Sequence, residues 1–161
     1  MQKKALILGI TGQDGSFISE LLLKKKYKVH GYVRKSATGN LKNIKHLIEK
    51  KKLTIHHGDL LDFVSLSNVI KKIKPDEIYN FADQDHVRWS FDLPTYSFNT
   101  TATSIITILE SIRYYNPKAK YFQPISSNIF GQPKTSVVNE NSNFDPRSIY
   151  ALGKVSAYYI C

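Results

Sequence analysis

The sequence has few of the residues that build disulfide frameworks, metal sites or membrane spans. Among its 161 residues Cys161 is the single cysteine, which excludes an internal disulfide and a cysteine-ligated metal site. The histidines show no metal-ligand spacing, and no apolar run approaches the roughly 18 residues of a membrane span. The short apolar run after the basic start is interrupted by Gly9, unlike a signal peptide. We therefore expect a soluble, cytoplasmic protein with no metal and no membrane association.

Acidic residues are also scarce, with 13 Asp and Glu against 23 Lys and Arg, giving a net charge of +10. Such an excess raises nucleic-acid binding as a possibility. However, the lysine triplets Lys24–Lys26 and Lys50–Lys52 stand where two predicted helices end, and cations there complement the helix dipole. We therefore predict no nucleic-acid partner, and we expect the excess charge to help attract anionic substrates.

Short apolar runs alternate with segments of helical periodicity along the chain. The predicted strands are Ala5–Leu8, Tyr27–Val33, Leu53–His57, Glu77–Phe81 and Lys120–Gln123. The predicted helices are Gly15–Lys25, Leu41–Glu49, Val64–Ile73, Thr95–Tyr115 and one starting near Ser148. Within the fourth helix we predict a buried stripe formed by Ile105, Ile106, Leu109 and Ile112. This alternation predicts an α/β fold, a doubly wound parallel sheet wrapped by helices.

Residues 124–146 are rich in Ser, Asn, Pro and Gly, which predicts an irregular segment before the last helix. That helix is still amphipathic where the sequence stops at Cys161, without a capping residue or a following glycine. We therefore expect residues 1–161 to form one domain that is truncated on its C-terminal side.

The glycines that follow the first strand have the spacing G-x-x-G-x-x-G and open the first helix. In that context one glycine permits a tight turn, the next lets a pyrophosphate approach the backbone, and the third allows close packing of helix on sheet. The helix N-terminus then faces the anion. The spacing predicts a Rossmann-type NAD(P)-binding domain. Its candidate cofactor-binding residues are Gly9, Thr11, Gly12, Gln13, Asp14 and Gly15.

After the second strand, where NAD-binding proteins usually carry a carboxylate for the ribose, the sequence reads Val33-Arg34-Lys35-Ser36. The guanidinium of Arg34 and the ammonium of Lys35 suit the additional phosphate of NADP, so we predict NADP rather than NAD. After the third strand, Asp59 and Leu60 are candidates for contact with the adenine. An equally weighted interpretation of Asp59, compatible with the first, is an N-cap of the next helix.

Tyr150 and Lys154 lie one helical turn apart on the last predicted helix. A neighbouring ammonium favours the phenolate, so that the tyrosine can exchange a proton with a substrate hydroxyl or carbonyl. Ser126, in the irregular segment after the fifth strand, carries a hydroxyl that can bind the same substrate oxygen. We therefore predict Ser126, Tyr150 and Lys154 as the catalytic residues, with Tyr150 and Lys154 also contacting the cofactor.

The chain resembles the extended short-chain dehydrogenases, and within them the GDP-mannose 4,6-dehydratase family. The specific strings are G-I-T-G-Q-D-G at 9–15 and P-D-E-I-Y-N at 75–80, and the resemblance covers essentially the whole chain. It implies an NADP-dependent internal redox cycle on a nucleotide sugar, a GDP-sugar above all. Tyr150 would deprotonate the 4-hydroxyl as hydride leaves, water would be eliminated across carbons 5 and 6, and hydride would return. The resemblance also implies a homo-oligomer, and a C-terminal substrate-binding part that is absent here.

The family's approximate T-S-E stretch reads Ser126-Ser127-Asn128 in this chain. In the family the glutamate removes the carbon-5 proton, and an Asn has no useful basicity near neutral pH. Two alternatives to a dehydratase therefore stay open. One is a nucleotide-sugar 4-epimerase or 4-keto reductase that lacks elimination, and the other is an inactive nucleotide-binding fragment.

The family's A-A-Q-S-H-V motif reads Ala82-Asp83-Gln84-Asp85-His86-Val87 in this chain. We expect both added carboxylates to line or border the cofactor cleft. Asp85, Val87 and Asn128 are the candidate substrate contacts. For Asp85 the alternative is a local salt bridge with Arg88.

Overall fold

The structure, a computed structural model, describes residues 2–37, 39–133 and 137–161. The chain divides into two compact units, residues 1–82 with 107–123 and residues 83–106 with 124–161. The part of the predicted irregular segment at 134–136 lies outside the described residues. No helix in the described ranges is both long enough and apolar enough to cross a membrane.

The first unit contains a parallel sheet of five strands in the order β3-β2-β1-β4-β5. The strands are β1 Lys4–Leu8, β2 Lys28–Val33, β3 Leu53–His57, β4 Glu77–Asn80 and β5 Lys120–Phe122. Each predicted strand is confirmed, with its ends within one residue of the prediction. The predicted doubly wound parallel sheet is also confirmed.

The helices of the first unit cover both faces of this sheet. They include α1 Gln13–Lys24, α2 Lys45–Glu49 after a 3-10 turn at Lys42–Ile44, and α3 Phe63–Ile73. Alternate residues of β1 enter opposite cores, as expected for a strand covered on both faces. Leu6 packs in a cluster with α3 residues, whereas Ile7 packs in a cluster with residues of α1 and α2.

The predicted helix Thr95–Tyr115 is interrupted. The structure has α4 Trp89–Asp92, α5 Pro94–Phe98, a π-helix at Asn99–Thr103 and α6 Ser104–Tyr115. The predicted buried stripe is also partly wrong, because Ile106 is 49% exposed whereas Ile108 is fully buried. The sequence offers apolar residues at 105, 106, 108 and 109, so two different stripes satisfy the same helical period.

The last helix of the second unit is α7, Ile149–Ile160, preceded by a 3-10 helix at Ser127–Phe130. Ser148 is the N-cap of α7, and its hydroxyl accepts a hydrogen bond from the Ala151 amide at 3.0 Å. This capping contact fixes where the helix begins and therefore places Tyr150 and Lys154 on its first turns.

Two histidines face each other across β2 and β3, with 3.0 Å between Nδ1 of His30 and Nε2 of His56. Burial first, and then the charges of His56, Lys28 and Lys4, lower the pKa of His30 to about 4. An imidazole with a lowered pKa in the folded chain binds fewer protons there than in the unfolded chain. The free energy of unfolding therefore falls as the pH drops from about 6.5 towards 4.

We expect the free energy of unfolding to fall by an amount on the order of 2 kcal/mol over this pH range because of His30, as measured by urea unfolding at each pH. The His30→Gln variant should flatten this dependence, and an unchanged profile would contradict the assignment.

Candidate active site

The glycine loop joins β1 to α1 in the first unit. Gly9 has φ +75°, a conformation that residues with a side chain rarely adopt. A Cβ atom at Gly9 would lie 2.6 Å from the backbone nitrogen of Ala82 and from the carbonyl carbon of Phe81. Gly9 is therefore required both by its φ angle and by the close approach of the chain that follows β4.

Helix α1 begins within the loop and packs closely against it. A Cβ at Gly15 would collide with the carbonyl oxygen of Gly9 and lie 2.8 Å from Cα of Ile10. The helix also buries the small residues Ser16 and Ser19, and the Ser19 hydroxyl donates to the Gly15 carbonyl at 2.6 Å. These small residues bring the start of the helix close to the first strand.

The N-cap of α1 is Gly12, which has no side chain to occupy the N-terminal amides. Gly12, Gln13 and Asp14 are exposed, and Thr11 is half-buried. A helix N-terminus with exposed residues around it suits an anion, since its amides carry a partial positive charge. The predicted loop residues thus lie together at one helix end.

The remaining predicted cofactor residues follow β2 and β3. Arg34 is exposed directly after β2, as the prediction of a phosphate contact requires. The Asp59 carboxylate accepts a hydrogen bond from the Leu61 amide at 2.9 Å, whereas the N-cap of α3 is Asp62, which accepts from Ser65 at 3.1 Å. The alternative that Asp59 caps this helix is therefore wrong. Leu60 is 8% exposed and belongs to the core, which leaves mainly its backbone for contact with a ligand.

Asn80, at the end of β4, anchors the chain that contacts Gly9. Its side-chain amide donates to Gln123 Oε1 at 2.8 Å and to the Tyr121 hydroxyl at 3.2 Å. Its carbonyl oxygen accepts from the Ala82 amide at 3.3 Å. Asn80 is 2% exposed, so these bonds keep a buried amide satisfied and hold the backbone that a Cβ at Gly9 would meet.

In the second unit, Tyr150 and Lys154 are both buried, with 7% and 4% of their surfaces exposed. The Lys154 ammonium lies 5.7 Å from the centroid of the Tyr150 ring. The predicted juxtaposition on one helix face is present. A buried phenol beside an ammonium is an arrangement suited to proton transfer.

The Lys154 ammonium has two further contacts in this unit. Its Nζ lies 2.6 Å from Oδ2 of Asp83, and it donates to the Pro124 carbonyl at 3.2 Å. Both side chains of the ion pair are buried, at 5% and 10% exposure. A buried ammonium requires such a counter-ion, because an isolated charge away from water is costly.

Ser126 is half-buried at the start of the 3-10 helix. Its hydroxyl oxygen accepts from the Asn128 amide at 3.2 Å and from Nδ2 of Asn128 at 3.0 Å. The hydroxyl proton of Ser126 therefore remains for donation to another oxygen. Asn128 is exposed and orients Ser126 through its side-chain amide.

The remaining substrate candidates lie on the segment after β4. Asp85 is exposed, and the ion pairs found among the described residues do not include one between Asp85 and Arg88. Val87 is half-buried, and its carbonyl accepts a hydrogen bond from the Ser90 hydroxyl at 2.7 Å. Over the ranges that the structure covers, no cluster of His, Cys, Asp or Glu could hold a metal ion.

Thr101 is a site residue that the sequence did not indicate. Its hydroxyl donates to Oδ1 of Asp83 at 2.6 Å, from within the π-helix. A π-helical turn cannot be read from the apolar period. The sequence did mark Asp83 as unusual, since it is a carboxylate where the resembling family has alanine. However, nothing in the sequence indicated that Lys154 is the partner of this carboxylate.

The sheet order and the glycine loop define a Rossmann-fold domain of the short-chain dehydrogenase class. A family model described as GDP-mannose 4,6 dehydratase matches residues 6–161. The chain belongs to the GDP-mannose 4,6-dehydratase family.

Curated relatives agree with this assignment. The chain is 38% identical to the GDP-mannose 4,6-dehydratase of Vibrio cholerae over 99% of its own length and 45% of the relative's. It is 41% identical to the GDP-mannose 4,6 dehydratase of Drosophila melanogaster over 98% of its own length and 42% of the relative's. The chain thus spans less than half the length of these curated relatives.

Solved structures share the fold. The UDP-Glc/GlcNAc 4-epimerase of Campylobacter jejuni superimposes with a TM-score of 0.89 at 23% identity, over 98% of this chain and 47% of the epimerase. The dTDP-glucose 4,6-dehydratase of Bacillus anthracis, solved in complex with NAD, superimposes with a TM-score of 0.81 at 26% identity. That match covers 98% of this chain and 49% of the dehydratase.

Proposed function

We propose that the chain is the dinucleotide-binding part of an NADP-dependent enzyme that modifies a nucleotide sugar. The observation that carries the proposal is the glycine loop, in which Gly9 and Gly15 bring the backbone and the start of α1 together with no room for a Cβ. This cradle fits a pyrophosphate. The family membership and the NAD-bound dehydratase of the same fold support a nicotinamide cofactor.

The residues that would hold the cofactor are the loop residues between Gly9 and Gly15, together with Arg34 and Asp59. The α1 N-terminus would bind the pyrophosphate, and the Arg34 guanidinium would bind the phosphate on the adenosine ribose. The nicotinamide supplies a reversible acceptor for the hydride removed from the sugar.

Replacing Arg34 tests the preference for NADP. We expect Arg34→Ala to weaken NADPH binding about tenfold, because a charge-assisted bond of about 1.4 kcal/mol is lost. NADH, which lacks that phosphate, should bind with unchanged affinity. Both dissociation constants are measured by fluorescence titration. Arg113→Ala, which removes an exposed guanidinium paired with Glu110, is the matched control. Equal losses for the two nucleotides would contradict the assignment.

The proton chemistry would fall to the second unit. The Tyr150 phenol would take the proton of the sugar hydroxyl, with the buried Lys154 ammonium 5.7 Å from the centroid of its ring. The Ser126 hydroxyl, whose oxygen already accepts two bonds from Asn128, would donate to the sugar oxygen. Burial of Tyr150 keeps bulk water from its ring and strengthens these interactions.

We propose a GDP-sugar as the substrate, on the strength of the family, with Asp85, Val87 and Asn128 as contacts. Elimination of water needs a base, which Asn128 cannot supply. This observation favours a second candidate function, a 4-epimerase or 4-keto reductase that retains Tyr150 and Lys154. The two candidates share the redox step and differ in the loss of water.

The product of the reaction distinguishes the two candidates. The chain is incubated with NADP and GDP-mannose, and the nucleotide sugars are resolved by mass spectrometry and NMR. A 4-keto-6-deoxy sugar, 18 mass units lighter than the substrate as the loss of one water requires, supports the dehydratase. A product of unchanged mass with inverted carbon 4 supports the epimerase. Absence of both products, in a chain that binds NADPH, would contradict dehydratase and epimerase activity of this chain and support the inactive nucleotide-binding fragment.

The Asn128→Glu variant tests whether elimination is absent because the chain lacks a base at position 128 or because it does not bind the sugar. If the chain carries out the redox step alone, the added carboxylate should create elimination activity. Asn128→Gln is the matched control, because it has the same length and no basicity. Equal product patterns for Glu and Gln at position 128 would show that this position does not govern elimination.

A further inference from the structure

Asp83 uses both carboxylate oxygens within the second unit. Its Oδ1 accepts from the Thr101 hydroxyl at 2.6 Å and from the Gln84 amide at 2.8 Å. Its Oδ2 lies 2.6 Å from the Lys154 ammonium. The carboxylate is therefore fixed on one side by two donors and presents its other oxygen to Lys154.

The anchoring residue Thr101 is itself held in place by a close approach of two helical segments. It is 2% exposed and lies in the π-helix, which contacts α7. A Cβ at Gly153 would lie 3.0 Å from Cβ and Cγ2 of Thr101. The absence of a side chain at Gly153, the residue before Lys154, thus makes room for the threonine that orients Asp83.

These contacts fix the position of the Lys154 ammonium. An ammonium has three donors. The Lys154 ammonium forms an ion pair with Asp83 at 2.6 Å and donates a hydrogen bond to the Pro124 carbonyl at 3.2 Å, and no further partner of its Nζ is found among the residues that the structure describes. We propose that Asp83 is a positioning residue, which holds the Lys154 ammonium beside Tyr150 so that its remaining N–H is presented to the bound dinucleotide. This proposal rests on the proposed function, because it assigns Lys154 to the cofactor.

The first test observes the ammonium in the chain without cofactor. With ¹⁵N-labelled lysine, a buried and paired ammonium gives a resolved N–H resonance, assigned by its loss in Lys154→Met. Asp83→Asn and Thr101→Val should broaden this resonance beyond detection. Thr101→Ser, which keeps the hydroxyl, should retain it. Asp92→Asn removes an exposed carboxylate of α4 and is the control for charge alone. A resonance that survives Asp83→Asn would overturn the positioning role.

The second test measures NADPH affinity in a double-mutant cycle. We expect about tenfold weaker binding for Asp83→Asn and about threefold for Thr101→Val, with Thr101→Ser within twofold of the original chain. In the Lys154→Met background, Asp83→Asn should have no further effect, because its influence passes through Lys154. Additive losses, or tighter binding by Asp83→Asn, would overturn the proposal. Thr101→Val serves in the same cycle if Asp83→Asn does not fold.

The two tests separate this inference from the proposed function. If the unmodified chain does not bind NADPH, the proposed function fails and with it the assignment of Lys154 to the cofactor, whatever the resonance shows. If NADPH binds, and Lys154→Met weakens it while Asp83→Asn does not, the proposed function stands and the positioning role of Asp83 is wrong.

Discussion

Replacing Gly9 by alanine is expected to lower the free energy of unfolding by about 3 kcal/mol or more. The φ angle of +75° costs a residue with a side chain roughly 1–2 kcal/mol. The added Cβ would in addition meet the backbone of Phe81 and Ala82 at 2.6 Å, where no side chain can move aside, and such overpacking costs about 1–3 kcal/mol. Urea unfolding followed by circular dichroism measures the loss.

Gly12→Ala is the matched control for Gly9→Ala, because it adds the same methyl group to the same loop. At Gly12 the Cβ would lie 3.4 Å from the Gly9 carbonyl oxygen, an ordinary contact, and φ is −74°. Stability should change by less than about 1 kcal/mol. NADPH affinity should fall at least about tenfold, because the methyl group occupies space beside the N-terminal amides of α1. A Gly12→Ala variant that loses stability but keeps its NADPH affinity would contradict the role of the loop in binding the cofactor.

Lys154→Met is expected to destabilise the chain by about 3–5 kcal/mol, since it leaves the Asp83 carboxylate buried without its counter-ion. The double variant Asp83→Asn with Lys154→Met removes both charges and should recover much of that loss. Chemical unfolding of the three proteins provides the measurement.

An exposed ion pair supplies the control for Lys154→Met. Lys45 and Glu49 lie 3.8 Å apart with their side chains 75% and 61% exposed. Lys45→Met should therefore change stability by no more than about 0.5 kcal/mol. If Lys154→Met cost as little as Lys45→Met, the Lys154 ammonium would have to be solvated, and the buried pair would be refuted.

The strands could be predicted closely because each is a short apolar run bounded by turn residues. The run Ala5–Leu8 is covered on both faces, so burial alone specifies it without alternation. Helix ends were less certain, but α7 begins after Ser148, because a serine there caps the helix. Local chemistry thus determined most of the sheet and the start of α7.

The long helix was predicted incorrectly because its interruption depends on tertiary contacts. Pro94 starts α5, and the π-helix that follows brings Thr101 to Gly153 and Asp83. The spacing of apolar residues does not indicate where a helix widens by one residue per turn to form a π-helix. Likewise, Asp59 and Asp62 both precede α3, and only the backbone geometry decides that Asp62 is the cap.

The candidate site was predictable where a motif specifies it and unpredictable where a partner comes from elsewhere in the chain. The glycine loop and the Tyr150–Lys154 pair follow from spacing. The ion pair of Lys154 with Asp83 joins residues 71 positions apart, and no spacing rule connects them.

Calorimetric titration of this chain with NADPH and with NADH tests the central claim, that the glycine loop binds a nicotinamide dinucleotide. We expect heat consistent with one site for NADPH, weaker binding of NADH, and loss of at least about tenfold in NADPH affinity for Gly12→Ala. No heat with either nucleotide, in a chain shown to be folded by circular dichroism, would contradict it.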